Sequence, residues 1–232
     1  MAVEPRLVGS PDVPRTQDYA EDMRSSRGCL LEAGGQVDDA LVDDAVPVLV
    51  AGQCPIALTT LPVVARHRPD ARILWLDAHG DFNTPATSPS AFLGGMSLAG
   101  ACGLWDAGLG QPAVSPDRIV LCGIRDLDPT EGEALDRSPA TVIGAAIETL
   151  VYLANALDGA PAFVHLDLDV LDPSLMPAEH PVDGGLSAEK LYDLLDAVAD
   201  ASEVVGIEIT CLEDPALAGM VADAVAPVLP QA

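Results

Sequence analysis

Two short segments of the chain carry side chains whose types and spacing could hold metal ions. In the first, four apolar residues (73–76) run directly into Asp77, His79 and Asp81 at alternate positions. Alternate residues of an extended chain point the same way, about 6.6 Å apart, and Gly80 lets the backbone bend so that the three side chains converge. Two carboxylates and one imidazole suit a Mn²⁺-like or Zn²⁺-like ion. This segment predicts a metal site; the alternative is a strand end with solvated polar residues.

The second segment, residues 165–173 (HLDLDVLDP), repeats the alternating carboxylates with Asp167 and Asp169. Together the two segments offer too many ligands for one ion but a suitable number for two ions that share bridging carboxylates. Two divalent ions about 3.5–4 Å apart can bind one hydroxide between them and direct it at an electrophilic carbon. The pair of segments therefore indicates metal-dependent hydrolysis.

The elements that must position these segments are buried strands that alternate with helical stretches. Apolar runs predict strands at residues 46–51, 73–76, 118–123, 162–166 and 204–209. Such alternation indicates a single α/β domain over residues 1–232, with a mainly parallel sheet and helices on both faces. The candidate ligands follow the strands directly, so the carboxyl ends of the strands would gather them at one edge of the sheet.

The remaining segments give weaker patterns. Residues 1 to about 24 predict an irregular arm, residues 25–32 a short helix that Gly34 and Gly35 end, and residues 38–44 an acidic linker. Residues 139–157, rich in Ala and Leu, predict one helix.

The composition of the chain disfavours several classes of function. The formal charge of −25 disfavours binding to nucleic acid or to anionic membranes. It would attract a small cationic substrate, but the alternative that it serves solubility is the stronger one. No apolar run reaches the roughly 18 residues that a membrane span needs, and the first residues lack the apolar core of a secretion signal. Five cysteines without a CxxC pair fit a reducing compartment, so we expect a cytoplasmic protein.

The two motifs, DAHGDFNTP and HLDLDVLDPS, resemble those of the ureohydrolase superfamily, which comprises arginases, agmatinases and formiminoglutamases. The resemblance covers roughly residues 46–215 and implies a three-layer arginase-like α/β fold, two Mn²⁺ ions per chain and hydrolysis of a guanidino group. It further implies that Asp77 and Asp167 bridge both ions. Asp81 would complete one ion and orient the hydroxide, while His79 and Asp169 would complete the other.

The resemblance also implies how the substrate is held. Glu208, within Val-Gly-Ile-Glu-Ile-Thr, is similar to the family's carboxylate that grips the substrate guanidinium. Asn83 and Ser90 lie in the loop that contacts the amino-acid end of the substrate in arginases. Asp126 and Asp128 are similar to acids that recognise the substrate α-amino group; the alternative is a simple turn with Asp before Pro.

The chain departs from the family pattern at three places. Cys54 stands where the family has a metal-ligand histidine, as in relatives that hydrolyse N-hydroxyarginine; it would be a soft ligand or a small buried filler. Gly94 stands where the family has a loop histidine, beside Phe92, and either His180 or His165 could substitute for it. Residues 1–45 lack the family's early strand and substrate loop, which implies a more open pocket or a sheet one strand smaller.

We therefore expect a dimanganese ureohydrolase that acts on arginine or N-hydroxyarginine and releases ornithine with urea or hydroxyurea. An agmatinase, a guanidino-acid or formimino hydrolase, and a catalytically silent binding module with the same fold are the alternatives. The family resemblance also implies a homo-oligomer.

Overall fold

A six-stranded sheet in which every pair of neighbours is parallel forms the centre of the molecule. The structure is a computed structural model and describes residues 5–9, 16, 18–144 and 149–230. The strands are β1 (Val48–Val50), β2 (Arg72–Leu76), β3 (Ile119–Ile124), β4 (Thr141–Gly144), β5 (Ala162–Asp167) and β6 (Val204–Thr210). They lie in the order β1-β6-β5-β2-β3-β4. The sheet therefore places β2, β5 and β6 side by side at its centre.

Helices cover both faces of this sheet. They are α1 (Tyr19–Val42), α2 (Ala57–His67), α3 (Ser97–Ala101), α4 (Pro129–Arg137), α5 (Thr149–Leu157), α6 (Ala188–Ala201) and α7 (Ala218–Val225). The predicted α/β fold of three layers is confirmed.

The central strands are buried on both faces because their side chains alternate between two cores. Trp75 and Phe163 pack on the side of α2 and α3, where Leu61 and Leu98 meet them. Leu74 packs on the opposite side, against α5, α6 and α7. This double burial explains the uninterrupted apolar runs in the sequence.

The N-terminal part differs from the prediction. Residues 19–42 form the single helix α1. The prediction of an irregular arm, a short helix at residues 25–32 and an acidic linker is therefore wrong for this range. The predicted arm at residues 1–4, 10–15 and 17 lies outside the described residues. Gly34 does not end a helix: a Cβ there would lie 2.8 Å from Thr59 Cβ, so the glycine lets α1 approach α2 closely.

The predicted helix over residues 139–157 is also wrong at its start. Thr141–Gly144 is the edge strand β4, and the helix α5 covers only Thr149–Leu157; residues 145–148 lie outside the described part. No helix within the described residues is long and apolar enough to cross a membrane.

Candidate metal centre

The carboxyl ends of the central strands meet at one edge of the sheet. Asp77 follows β2 and Asp167 ends β5, and because β2 and β5 are hydrogen-bonded neighbours the two acids lie side by side. The turn after β1 adds Cys54, and the turn after β6 adds Cys211. The fold thus collects groups from four separate segments, as parallel sheets do at this edge.

One half of the cluster consists of oxygen and nitrogen donors. The imidazole Nδ1 of His79 lies 3.0 Å from Asp169 Oδ2 and 3.4 Å from Asp77 Oδ1. Backbone N–H groups fix both carboxylates: His79 N–H donates to Asp77 Oδ1 at 2.7 Å, and Ala78 N–H donates to Asp169 Oδ1 at 3.1 Å. The ligand atoms of the three residues lie within 4.8 Å of one another, which is close enough to surround one ion.

The other half contains two thiols. Cys54 Sγ and Cys211 Sγ each donate to Asp167 Oδ2 at 2.8 Å, and the hydroxyl of Thr210 reaches the same oxygen at 3.2 Å. The donor atoms of Cys54, Asp167 and Cys211 again lie within 4.8 Å of one another. Asp169 N–H donates to the remaining oxygen, Asp167 Oδ1, at 2.8 Å. Asp167 therefore lies between the two halves.

Asp81 joins the cluster through an unusual backbone conformation. Its φ of +48° is in the left-handed region, which turns the chain after β2 back toward the sheet edge. Its carbonyl accepts a hydrogen bond from Ala99 N–H at 3.1 Å, which anchors the turn to α3. The side chain is buried and lines the same cavity as Asp167.

The acids of the cluster are electrostatically unfavourable without a cation. Burial raises the pKa of Asp77 and of Asp81 well above the ordinary value and raises that of Asp167, and neighbouring carboxylates add to each shift. Burial also raises the pKa of Asp169, but the hydrogen bond and charge of His79 outweigh it, so this pKa is lowered. A divalent ion would remove this mutual repulsion.

The same acids stabilise the protonated, positively charged form of His79. Burial lowers the pKa of its imidazole, but the hydrogen bonds with Asp169 and Asp77 outweigh burial and raise the pKa to about 11. A proton on His79 therefore compensates part of the negative charge where a cation would otherwise do so.

The residues present fit a pair of divalent ions. Four carboxylates, one imidazole and two thiols converge from the strand ends, and carboxylate with imidazole suits Mn²⁺ or Zn²⁺. The structure brings together all six predicted ligands: Cys54, Asp77, His79, Asp81, Asp167 and Asp169. The thiols make one half softer than the other.

A cavity of about 260 Å³ lies above the cluster. Nine carboxylates line it, contributed by Asp77, Asp81, Asp126, Asp128, Glu131, Asp167, Asp169, Glu179 and Glu213. None of the described residues that line it is Lys or Arg. Such a lining attracts a cationic ligand and repels an anionic one.

The four predicted substrate-binding residues, Asn83, Ser90, Asp126 and Asp128, all line this cavity. Asn83 Nδ2 donates to Asp128 Oδ2 at 3.0 Å, so the loop after β2 is tied to the start of α4. Ser90 Oγ accepts from Phe92 N–H at 3.3 Å, which leaves the hydroxyl proton of Ser90 free to donate to a ligand.

Glu208 lies elsewhere, which corrects the prediction that it grips the substrate. Its side chain is fully buried between the sheet and α2, hydrogen-bonded to His165 Nδ1 and Thr60 Oγ1, both at 2.6 Å. The register explains this: Glu208 pairs with His165, two residues before the end of β5, and β6 continues to Thr210. The strand end that reaches the cavity therefore carries Cys211 and Glu213 instead.

Sequence reasoning also missed other residues of the cavity. Glu131, on α4, is buried and accepts from Phe82 N–H at 2.7 Å, which fixes the turn that carries Asp81. His180, which the sequence suggested only as a substitute for the loop histidine, lines the cavity with its ring centroid 6.3 Å from that of His79. The local sequence contains no signal for Cys211 and Glu213, because only the register of β6 against β5 shows that the chain after Thr210 reaches the cavity.

Phe92 occupies the space beside Gly94, where the family has a histidine. A Cβ on Gly94 would lie 2.4 Å from Phe92 Cζ, so a larger side chain at position 94 requires the ring to move. The ring of Phe92 in turn lies 5.0 Å from that of His180, centroid to centroid. Of the two histidines proposed as substitutes, His180 reaches the cavity and His165 is fully buried beneath it.

A parallel sheet that gathers buried acids, an imidazole and thiols at its carboxyl edge is typical of α/β metalloenzymes. Comparison with known proteins gives the family. The sequence profile of the arginase family matches residues 11–228. An N(omega)-hydroxy-L-arginine amidinohydrolase from Streptomyces lavendulae is 37% identical over 222 residues, which cover 96% of this chain and 81% of that protein. The chain therefore belongs to the arginase family of ureohydrolases, which act on guanidino C–N bonds.

Arginase is the second similar protein. Arginase from Bacillus caldovelox is 35% identical over 193 residues, which cover 74% of this chain and 62% of that protein. The solved structure of Bacillus caldovelox arginase superposes with a TM-score of 0.83 at 26% identity and covers 96% of this chain and 82% of that chain.

Proposed function

We propose that this chain hydrolyses the guanidino group of N-hydroxyarginine or arginine and releases ornithine with hydroxyurea or urea. The observation that carries the proposal is the convergence of carboxylates from the ends of β2 and β5 on one acidic cavity. The similarity to a hydroxyarginine amidinohydrolase and to an arginase supports the substrate class. Two divalent cations per chain, for which the family resemblance suggests Mn²⁺, would supply activation of a water molecule as the nucleophile.

The residues of the chain would divide the remaining work. Asp77, Asp167 and Asp169 would hold the cations with His79, and Asp81 would complete one of them and orient the water. The water oxygen would add to the guanidino carbon. The bond between this carbon and the ornithine nitrogen would then break and leave an electron pair on the nitrogen. A proton must then reach the leaving nitrogen.

His180 is the residue we propose for this proton transfer. It lines the cavity near His79, on the side where Phe92 closes the position of the family's loop histidine. An imidazole is suited to proton transfer near neutral pH.

Glu213 is the residue we propose to hold the substrate guanidinium, in place of Glu208. It lines the cavity two residues beyond Cys211, and a carboxylate can accept two parallel hydrogen bonds from a planar guanidinium. The predicted contact between a carboxylate and the substrate guanidinium is thus kept, but Glu213, beyond the end of β6, makes it.

At the other end of the substrate, Asp126 and Asp128 would receive the α-amino group, and Ser90 would donate to the α-carboxylate. Agmatine has no carboxylate and could not use Ser90. The lining of the cavity therefore favours an amino acid over a simple amine.

N-hydroxyarginine is favoured over arginine by Cys54 and by Gly94, which stand where arginases have histidines. The same two positions are what a catalytically silent binding protein would also show. Measurement of turnover separates the two possibilities.

The test is a substrate panel with Mn²⁺-loaded protein: N-hydroxyarginine, arginine and agmatine, with ornithine or putrescine measured as product. We expect ornithine from N-hydroxyarginine at the highest rate, and no turnover by Asp167→Asn. Asp172→Asn is the matched control, because this acid lies in the same motif but bonds to Ser174 outside the cavity. Fast release of putrescine would favour an agmatinase, and bound metal without any turnover would favour the silent protein.

The homo-oligomer that the resemblance implies is part of the proposal, and sedimentation of the intact chain tests it.

A further inference from the structure

His165 is a buried histidine with one nitrogen satisfied and the other unpaired. Its ring is fully buried and stacks on Trp75, with centroids 3.5 Å apart and planes inclined by 2°. Nδ1 lies 2.6 Å from Glu208 Oε1. Within the described part of the chain, Nε2 has no hydrogen-bond partner. Folding seldom leaves a buried ring nitrogen unpaired, so this atom points to a missing ligand.

One ring nitrogen of His165 belongs to a cluster of potential ligands. The donor atoms of Cys54, Asp77 and His165 all lie within 4.8 Å of one another. Cys54 and Asp77 are two of the predicted metal ligands, and both are buried. The imidazole therefore lies beside the metal centre without lining the cavity.

The partner of Nδ1 sets the direction of the ring. Glu208 Oε2 accepts from Thr60 Oγ1 at 2.6 Å, so the carboxylate is itself held by α2. When Nδ1–H donates to Glu208, the lone pair remains on Nε2, which is then the ring nitrogen left to bind a cation. Histidines that bind metals typically donate their other ring N–H to a carboxylate in this way.

We propose that His165 Nε2 is a ligand of the cation at Cys54, and that Glu208 is the positioning residue that directs it. The imidazole that the family supplies at position 54 would thus come from β5 in this chain, since the shorter Cys54 leaves room for it. Each of the two cation positions would then have one imidazole, His165 at one and His79 at the other. This inference rests on the proposed function only in requiring that cations bind.

The direct test is a crystal of the intact chain loaded with Zn²⁺ alone, in which anomalous diffraction locates the ions. We expect an ion between Cys54 and Asp77 with Nε2 of His165 about 2.0–2.1 Å away, the usual Zn–N distance. An ion there that Nε2 does not contact, or no ion near Cys54, overturns the inference.

Variants test the same assignment in solution through binding rather than activity. His165→Gln can still donate to Glu208 but has no imidazole, and His67→Gln removes a surface histidine as the matched control. For folded His165→Gln, calorimetry should show one cation site weakened at least about tenfold, and Glu208→Gln should weaken the same site by about 10–100-fold. His67→Gln should bind as the unmodified chain does. Unchanged affinities in folded His165→Gln would contradict the inference.

The outcomes distinguish this inference from the proposed function. Turnover of N-hydroxyarginine with an ion that does not contact His165 overturns the inference and leaves the function intact. An ion bound by Nε2 without turnover on any guanidino substrate supports the inference and contradicts the function. The crystal does not depend on the variants folding.

Discussion

At the scale of single residues, Asp167 connects two sets of donors with different chemistry. One oxygen accepts from the thiols of Cys54 and Cys211, and the other accepts from Asp169 N–H, next to the His79 half of the cluster. Thiolates bind thiophilic ions more tightly than they bind Mn²⁺. The two cation positions should therefore differ in the metal that they prefer.

Cobalt tests this difference. Co²⁺ bound to a thiolate gives a charge-transfer band in the near ultraviolet, so the Co²⁺-loaded protein should show such a band. Cys54→Ser should remove or strongly weaken the band, and Cys211→Ser should weaken it, whereas Cys102→Ser, a buried cysteine that does not line the cavity, should leave it unchanged. A spectrum of oxygen and nitrogen ligation alone would show that the thiols do not bind.

Glu213 permits a second prediction at this scale. Glu213→Gln removes the charge of the carboxylate but keeps its shape. A hydrogen bond to a charged group contributes about 1.5–3 kcal/mol, so KM for the guanidino substrate should rise about tenfold to a hundredfold. Steady-state kinetics measures this, with Glu189→Gln, an exposed acid on α6, as control. An equal effect of both variants would show that Glu213 does not contact the substrate.

At the scale of elements, the packing of α1 on α2 depends on one glycine. Gly34 faces Thr59, whose Cβ would lie 2.8 Å from an added Cβ, while Gly35 has nothing within 4 Å. Gly34→Leu should lower the free energy of unfolding by about 1–3 kcal/mol through overpacking. Gly35→Leu should raise it by up to about 1 kcal/mol, because leucine favours the helix more than glycine does. Denaturant titration measures both, and similar values for the two variants would contradict the packing shown here.

The elements also show what the sequence could predict. The central strands were predictable because double burial produces uninterrupted apolar runs such as residues 73–76. β4 was not, because three of its four residues are exposed at the edge of the sheet. α1 was missed because Gly34 and Gly35 resemble a helix end, and only the structure shows that α2 lies against them.

The sequence predicted the metal ligands of the candidate site but not the residue proposed to hold the substrate guanidinium. Motif spacing identified Asp77, His79 and Asp167 because these residues follow or end their strands directly. Glu208 was misplaced because the sequence does not give the register of β6 against β5, which places it beside His165 and beneath α2. Contacts between distant segments, such as Cys211 with Asp167, have no local signal at all.

At the scale of the whole molecule, cation binding should change how stability depends on pH. The pKa values of Asp77, Asp81 and Asp167 are raised by burial, so above the ordinary value of about 3.9 the folded chain binds more protons than the unfolded chain. The free energy of unfolding of the metal-free protein therefore falls as pH rises from the ordinary pKa of an aspartate toward the raised pKa values of these three acids. The raised pKa of His79, about 11, acts in the same direction, because its contribution is lost as pH rises toward that value.

A bound cation reverses this dependence because its ligands must be deprotonated. The rise in Tm caused by Mn²⁺ should therefore increase from about pH 5 to about pH 8, as measured by thermal unfolding with metal and with chelator. Asp167→Asn should show a smaller rise. A rise that is independent of pH would indicate that the cation binds away from these acids.

The account as a whole depends on cations holding together the acids at the carboxyl edge of the sheet. Elemental analysis of the intact chain after equilibrium dialysis against Mn²⁺ tests this most directly. We expect about two ions per chain and a clear loss of bound metal in Asp167→Asn, with Asp172→Asn unchanged. A chain that retains no metal, or that retains the same amount in Asp167→Asn, would contradict the metal centre and the hydrolase that we build on it.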